Sequence, residues 1–204
     1  MTILSLLGAL GTVIGLVRAI PQLVKLLRVR ESLGVSVDTA ATSALVSFGW
    51  ATYGVWTHQP YVTFATGASG IIFALVTGFA LRFGRQVREF RIAPVWMGVL
   101  VLGCCFAGVG WLGLVLPVSV LAANVPQIWI AHKEADLADL SLGTWMLSMG
   151  DGLVWGLYTL FHYDGAIRVF ALFQLTTSGM IVAMKLARGR KRPLAEVSVP
   201  RSSE

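Results

Sequence analysis

Seven apolar runs, at about residues 3–27, 36–57, 60–82, 92–111, 113–132, 140–161 and 165–187, follow one another with only a few polar positions between them, and each is close to the length an α-helix needs to cross a bilayer. Such a chain has no room for a sizeable water-soluble domain. Its composition agrees: 56% of the 204 residues are hydrophobic, 13% are charged, and the mean hydropathy is +0.75, far from the balance of a soluble domain. Alternation of period two is absent, which argues against a membrane β-barrel. The expected fold class is an all-α integral membrane protein with seven transmembrane helices. The last stretch, RGRKRPLAEVSVPRSSE, is charged and rich in proline and serine, so residues 188–204 are expected to form a disordered cytoplasmic tail.

The first run is too long for a cleavable leader and lacks a basic start, so it is expected to stay as helix one. Cys104 and Cys105 are neighbours in the fourth run, point in different directions on a helix, and cannot easily bridge. The basic residues set the orientation. Of the sixteen Lys and Arg, all but Arg18 and Arg168 fall in the loop after the first run and its flank (from Lys25), between the third and fourth runs (from Arg82), at Lys133, or from Lys185 onward. The opposite loops, around THQP, GWLG and FHYD, have none. The expected topology is a multi-pass protein of the plasma (inner) membrane, amino terminus outside and carboxyl terminus in the cytoplasm. The net charge of +6 then reflects topology and contact with anionic lipid in the bilayer, and no nucleic-acid partner is implied.

The chain also repeats itself. Moving along by 105 residues matches Pro21 with Pro126, Gln22 with Gln127, Ser36 with Ser141, Thr39 with Thr144, Ser43 with Ser148, Trp50 with Trp155 and Tyr53 with Tyr158, without a gap. Beyond the tyrosines the offset becomes 109, matching SGIIFAL from Ser69 with SGMIVAM from Ser178; four extra residues are therefore expected in the second outer loop. Residues 1–87 make a first three-helix repeat, 88–112 an unmatched linker helix, and 113–187 a second repeat. Three crossings reverse the chain, so a single linker helix gives the two repeats the same orientation, a 3+1+3 arrangement about an axis along the membrane normal.

Ser36 and Ser141, just after the basic loops, are expected to cap the second helix of each repeat. Pro21 and Pro126 each lie in the cytoplasmic third of a first helix, where proline removes a backbone bond and clashes with the preceding turn. Gln22 and Gln127 are suited to satisfy the freed carbonyl. Their recurrence in both halves marks Pro21, Gln22, Pro126 and Gln127 as paired hinges of a cytoplasmic gate.

The two Pro-Gln pairs, each followed by a basic loop and a Trp-x-x-Tyr helix in a 3+1+3 plan, resemble the PQ-loop superfamily. That superfamily includes the SWEET sugar transporters, the half-sized SemiSWEETs, and proton-coupled cystinosin-type amino acid exporters. The resemblance spans about residues 3–187. It implies a pocket between the repeats lined by Trp50 and Trp155, with Tyr53 and Tyr158 as gate or wall residues one turn further out. Where SWEET-like proteins carry a pocket asparagine, this chain offers Thr66 in the first half and Gln174, Leu175 or Thr176 in the second.

Charge inside the apolar runs is the strongest purely physical signal. Asp151 lies near the middle of the sixth run, where a carboxylate is costly and marks a functional site; its repeat mate is Val46. Arg18, one turn before Pro21, has Ala123 as its mate. The two are expected to pair across the central cavity, either locking helices or handling substrate charge and a coupled proton. Asn124 is a candidate for hydrogen bonding to solute or to the kinked backbone. Asp164 and Arg168 read as a surface pair. No Cys/His cluster has ligand spacing, so no metal and no cofactor is implied.

The function expected is a membrane transporter, not an enzyme, moving a small polar solute, a sugar, by SWEET-like uniport through alternating access. The alternatives are a proton-coupled transporter of an amino acid or other zwitterion that uses Asp151, and a cargo receptor that binds without transporting. Two repeats complete one pore, so a monomer suffices, and higher oligomers remain compatible.

Overall fold

The computed structural model describes residues 2–32, 35–133 and 141–189, without the side chains of Pro126, Ile130 and Arg188; the expected tail lies almost wholly outside them. Six α-helices and one 3-10 turn form among these residues: α1 (Ile3–Val29), α2 (Val37–Trp56), α3 (Pro60–Arg82), the 3-10 turn Val87–Glu89, α4 (Ala93–Lys133), α5 (Leu142–Phe161) and α6 (Gly165–Gly189). Helix starts follow local chemistry. The hydroxyls of Ser36 and Ser141 accept from the N–H of Thr39 and Thr144, capping α2 and α5 as expected. Pro60 opens α3, where its missing N–H costs nothing. The start of α4 borrows its cap from another helix: the Asp38 carboxylate on α2 accepts from the backbone N–H of Arg91, Ile92 and Ala93 at 2.9–3.0 Å, satisfying donors that a helix start leaves open.

Seven helices were expected, and the difference lies in α4. As a straight rod its 41 residues would reach about 60 Å, twice the hydrocarbon thickness. It is not straight. Gly108 sits at φ 63, ψ −152, a conformation essentially reserved for glycine. The Trp111 indole donates to the Val99 carbonyl at 2.9 Å, although twelve residues of unbroken helix would separate these positions by about 18 Å. The two arms of α4 therefore fold back on each other, and a side chain on Gly103 would run into the Trp111 ring. The reversal had been expected at the GWLG stretch; it occurs a few residues earlier, at the glycine whose backbone takes it.

The helices pack as two trios. In one, α3 lies against both α1 and α2; in the other, α6 lies against both α5 and α4, and the trios meet through α1 with α5 and α2 with α4. On α1 a stripe spaced by three and four, Leu6, Leu10, Val13, Val17 and Ile20, is exposed and apolar, as a lipid-facing surface requires. The opposite face carries Gly8, Gly11 and Gly15, against the Tyr61 ring, the Trp155 ring and the Ser69 hydroxyl. Among the described residues, four helices, α1, α3, α4 and α6, are long and apolar enough to cross a membrane. Loops 57–59 and 162–164 are equal in length, so the extra residues expected in the second outer loop lie instead within α6, between Asp164 and Ser178.

Two cores hold the assembly. One joins the trios and includes Trp50, Tyr53, Leu116, Trp155 and Tyr158. The other, around Leu26, Val37 and Val76, closes the basic end of the first trio. At that end the Ser32 hydroxyl donates to the Phe83 carbonyl and Arg85 donates to the Ser32 carbonyl, joining the α1–α2 and α3–α4 loops.

Candidate functional site

A cavity of about 560 Å³ lies between the trios, and all six helices contribute to its wall. Its floor is aromatic. Trp50 meets Tyr53 and Phe170 edge-on, with centroids 5.6 and 5.4 Å away, and Trp155 meets Tyr158 at 5.3 Å. Both tryptophans line the cavity, whereas Tyr53 and Tyr158 lie beyond it. This orientation follows from position: Trp50 and Tyr53 are one turn apart on one face of α2, as Trp155 and Tyr158 are on α5.

Beyond the tyrosines a hydrogen-bonded latch closes this end. The Tyr53 hydroxyl and the Gln59 amide both donate to Asp164 Oδ2, at 2.8 and 2.7 Å. Asp164 Oδ1 accepts from the Ile167 N–H at 2.9 Å, capping α6. Asp164 is buried, which corrects its reading as half of a surface pair. Arg168 instead lies over the Tyr163 ring, 4.7 Å from its centre. Sequence reasoning gave no role to Gln59 or to this use of Asp164, because the partners lie more than a hundred positions apart. One available clue was that both residues stand immediately before the third helix of their trio.

Halfway along the cavity Arg18 Nη1 and Asp151 Oδ2 are 3.0 Å apart, bridging α1 and α5 as expected. The Asp151 side chain is 7% exposed and that of Arg18 is 35% exposed. Val46, the repeat mate of Asp151, lines the same cavity, so one wall carries charge where the other is apolar. Gly152 allows this part of α5 against α6: a Cβ there would lie 2.9 Å from the Leu175 nitrogen.

The amides of the second half are joined. Asn124 Nδ2 donates to Thr177 Oγ1 at 2.7 Å and lies 3.5 Å from Gln174 Oε1. Asn124 and Gln174 both face the cavity; Leu175 and Thr176 do not line it. Thr66 lines it too, with its hydroxyl donating to the Val62 carbonyl. Ser43 and Ser47 on α2 were not singled out for the pocket, yet they line it, half-buried and with no side-chain hydrogen bond among the described residues. Their spacing with Trp50, four residues and then three, is the helical-face signal that could have found them.

The Pro-Gln positions are less alike than their motif. Pro21 is exposed inside a continuous α1, and Gln22 makes no side-chain hydrogen bond among the described residues. Gln127 lines the cavity; Pro126 lies within α4, and its side chain is outside the described set. The far end of the cavity is lined by Asp38, Ile92 and exposed Thr39. The cavity therefore reaches the surface at the basic end and is sealed at the Asp164 end.

No protein-family model matches the sequence, and no curated protein does. Among solved structures the fold is similar to that of a eukaryotic SWEET transporter, with a TM-score of 0.71 at 11% identity over 93% of this chain and 100% of that one. The fold is thus SWEET-like.

Proposed function

We propose that this chain is a transporter that carries a small polar solute, a sugar, across the plasma (inner) membrane by alternating access. The two arms of α4 act as separate spans, which makes seven crossings in the 3+1+3 plan: a first repeat over 1–87, a linker over 88–112 and a second repeat over 113–187. The amino terminus lies outside and the basic end faces the cytoplasm. One observation carries the reading: a cavity of solute size, floored by Trp50 and Trp155, is sealed at one end by the Tyr53, Gln59 and Asp164 latch and reaches the surface at the other. Such a cavity is one half of an alternating-access cycle. Indole faces suit the C–H faces of a sugar ring, and Thr66, Asn124 and Gln174 supply hydrogen bonds to hydroxyls. Pro21 with Gln22 and Pro126 with Gln127 act as the hinges of the inner gate, and one chain completes the pore.

Uptake of labelled sugars into proteoliposomes tests this reading. Accumulation abolished by Trp50→Ala or Trp155→Ala is expected, and binding without counterflow would point to a cargo receptor.

A second reading rests on the Arg18–Asp151 pair. A half-buried charge pair beside the solute path suits a proton-coupled transporter of a zwitterion such as an amino acid. Uptake driven by an imposed pH gradient and lost in Asp151→Asn would favour it over uniport.

A further inference from the structure

We propose that the solute bears a carboxylate and that Arg18 binds it: the cavity takes a hydroxylated monocarboxylate of the sugar-acid class. This rests on the transporter reading and narrows its substrate. Arg18 continues the face of α1 that carries Gly8, Gly11 and Gly15, turned away from the lipid-facing stripe, and it lines the cavity with about a third of its side chain uncovered. Its bond to Asp151 runs from one nitrogen, Nη1, to one oxygen, Oδ2. A guanidinium offers five N–H groups in a planar fork that matches a carboxylate two at a time. The Nε and Nη2 donors make no hydrogen bond among the described residues, so the edge best suited to a carboxylate is uncommitted.

The other charges leave this edge available to an anion. Among the described residues, only Arg18, Asp38 and Asp151 are charged cavity residues. Asp38 is saturated by three backbone N–H groups at the start of α4, and Asp151 is held by Arg18. Both described carboxylates thus already have donors of their own, and the free guanidinium edge is left to an incoming carboxylate. A free ammonium finds Asp151 only 7% exposed and already paired with Arg18, and Asp38 committed to the start of α4, which disfavours a simple cation. Ser43 and Ser47 have uncommitted hydroxyls, and the Trp50 indole N–H makes no hydrogen bond among the described residues, so hydroxyl groups on the same solute have partners one and two turns from the floor. A neutral sugar would use these groups and leave the guanidinium edge to water.

The test compares two probes that differ at one carbon, D-glucuronate and D-glucose, on the full-length protein. Binding is read from the thermal shift of the purified protein, and transport from uptake into proteoliposomes. Wild type is expected to prefer glucuronate in both. Because Arg18→Gln alone strands Asp151 and can unfold the chain, the decisive variant is Arg18→Gln with Asp151→Asn, which removes both charges and keeps hydrogen-bonding groups. Its preference for glucuronate over glucose is expected to fall about tenfold or more, as loss of a charged hydrogen bond implies. Arg18→Lys keeps the charge without the fork and is expected to retain part of the preference. An unchanged preference in the double variant, or no preference in wild type, overturns the proposal. Glucose uptake without a glucuronate preference overturns it while leaving the transporter reading intact. An Arg18-dependent glucuronate shift with no uptake of either probe supports the carboxylate site and overturns transport. Neither shift nor uptake overturns both.

Discussion

Gln59 and Asp164 stand at the same point of their respective trios, immediately before α3 and α6, and they bond to each other at 2.7 Å. Gln59 spends its amide N–H groups on Asp164 and Thr57, while its buried Oε1 has no partner among the described residues. The latch is held by one carboxylate and carries one unsatisfied acceptor. Replacing Asp164 with Ala strands the Tyr53 hydroxyl, the Gln59 amide and the Ile167 N–H, each at about 1–3 kcal/mol when buried. The purified variant is expected to melt well below wild type, and Asp164→Asn to fall between them.

Gln59→Glu sets a second carboxylate against Asp164. Two carboxylates at hydrogen-bond distance hold a shared proton, so one of them takes a folded-state pKa above its unfolded value. The stability of this variant is present at acid pH and lost as pH rises through that raised value. Melting scans from pH 4 to pH 8 check the sign, with wild type scanned alongside as the reference.

Gly11 meets the Trp155 ring so closely that a Cβ would lie 2.8 Å from Cζ2. Gly11→Ala must push the indole out of position at a cost of about 1–3 kcal/mol. Solute uptake is expected to fall more than the melting temperature does, because the displaced ring forms the cavity floor.

Gly150 and Gly152 flank Asp151 and differ in surroundings. A methyl on Gly152 would meet α6 backbone at 2.9 and 3.1 Å, while one on Gly150 meets nothing within 4 Å. Gly152→Ala is expected to lower the melting temperature, and Gly150→Ala to leave it unchanged or raise it slightly through the helix preference for alanine.

At the α4 reversal, Gly108→Ala forces an L side chain into a conformation costing about 1–3 kcal/mol, whereas Gly110 has no positive φ and open space around it. Reduced melting for the first and not the second checks where the chain turns.

Much of this was legible in the residues. Helix ends fell within a few positions because apolar runs, Ser36 and Ser141 are local signals, and the Arg18–Asp151 contact was legible because two charges inside apolar runs have few other ways to be neutralised. The break in α4 was misplaced because GVGWLG offers several glycines, and only tertiary packing decides which one takes the positive φ. Asp164 was misread for a different reason. A carboxylate four residues from an arginine looks like a local pair, and nothing nearby in the chain announces Tyr53 and Gln59. Ser43 carries only a repeat signal and Ser47 none, because a serine on an apolar helix does not by itself announce the cavity beside it.

Arg18 faces Asp151 once, since their counterparts in the other trio are Ala123 and Val46. Had two identical halves built this cavity, every group on one wall would recur on the other, and an asymmetric guest would have two equal ways to lie. A single charged pair removes that degeneracy. Under the proposed reading, a guest enters this cavity with a head and a tail, and the protein can select which end leads.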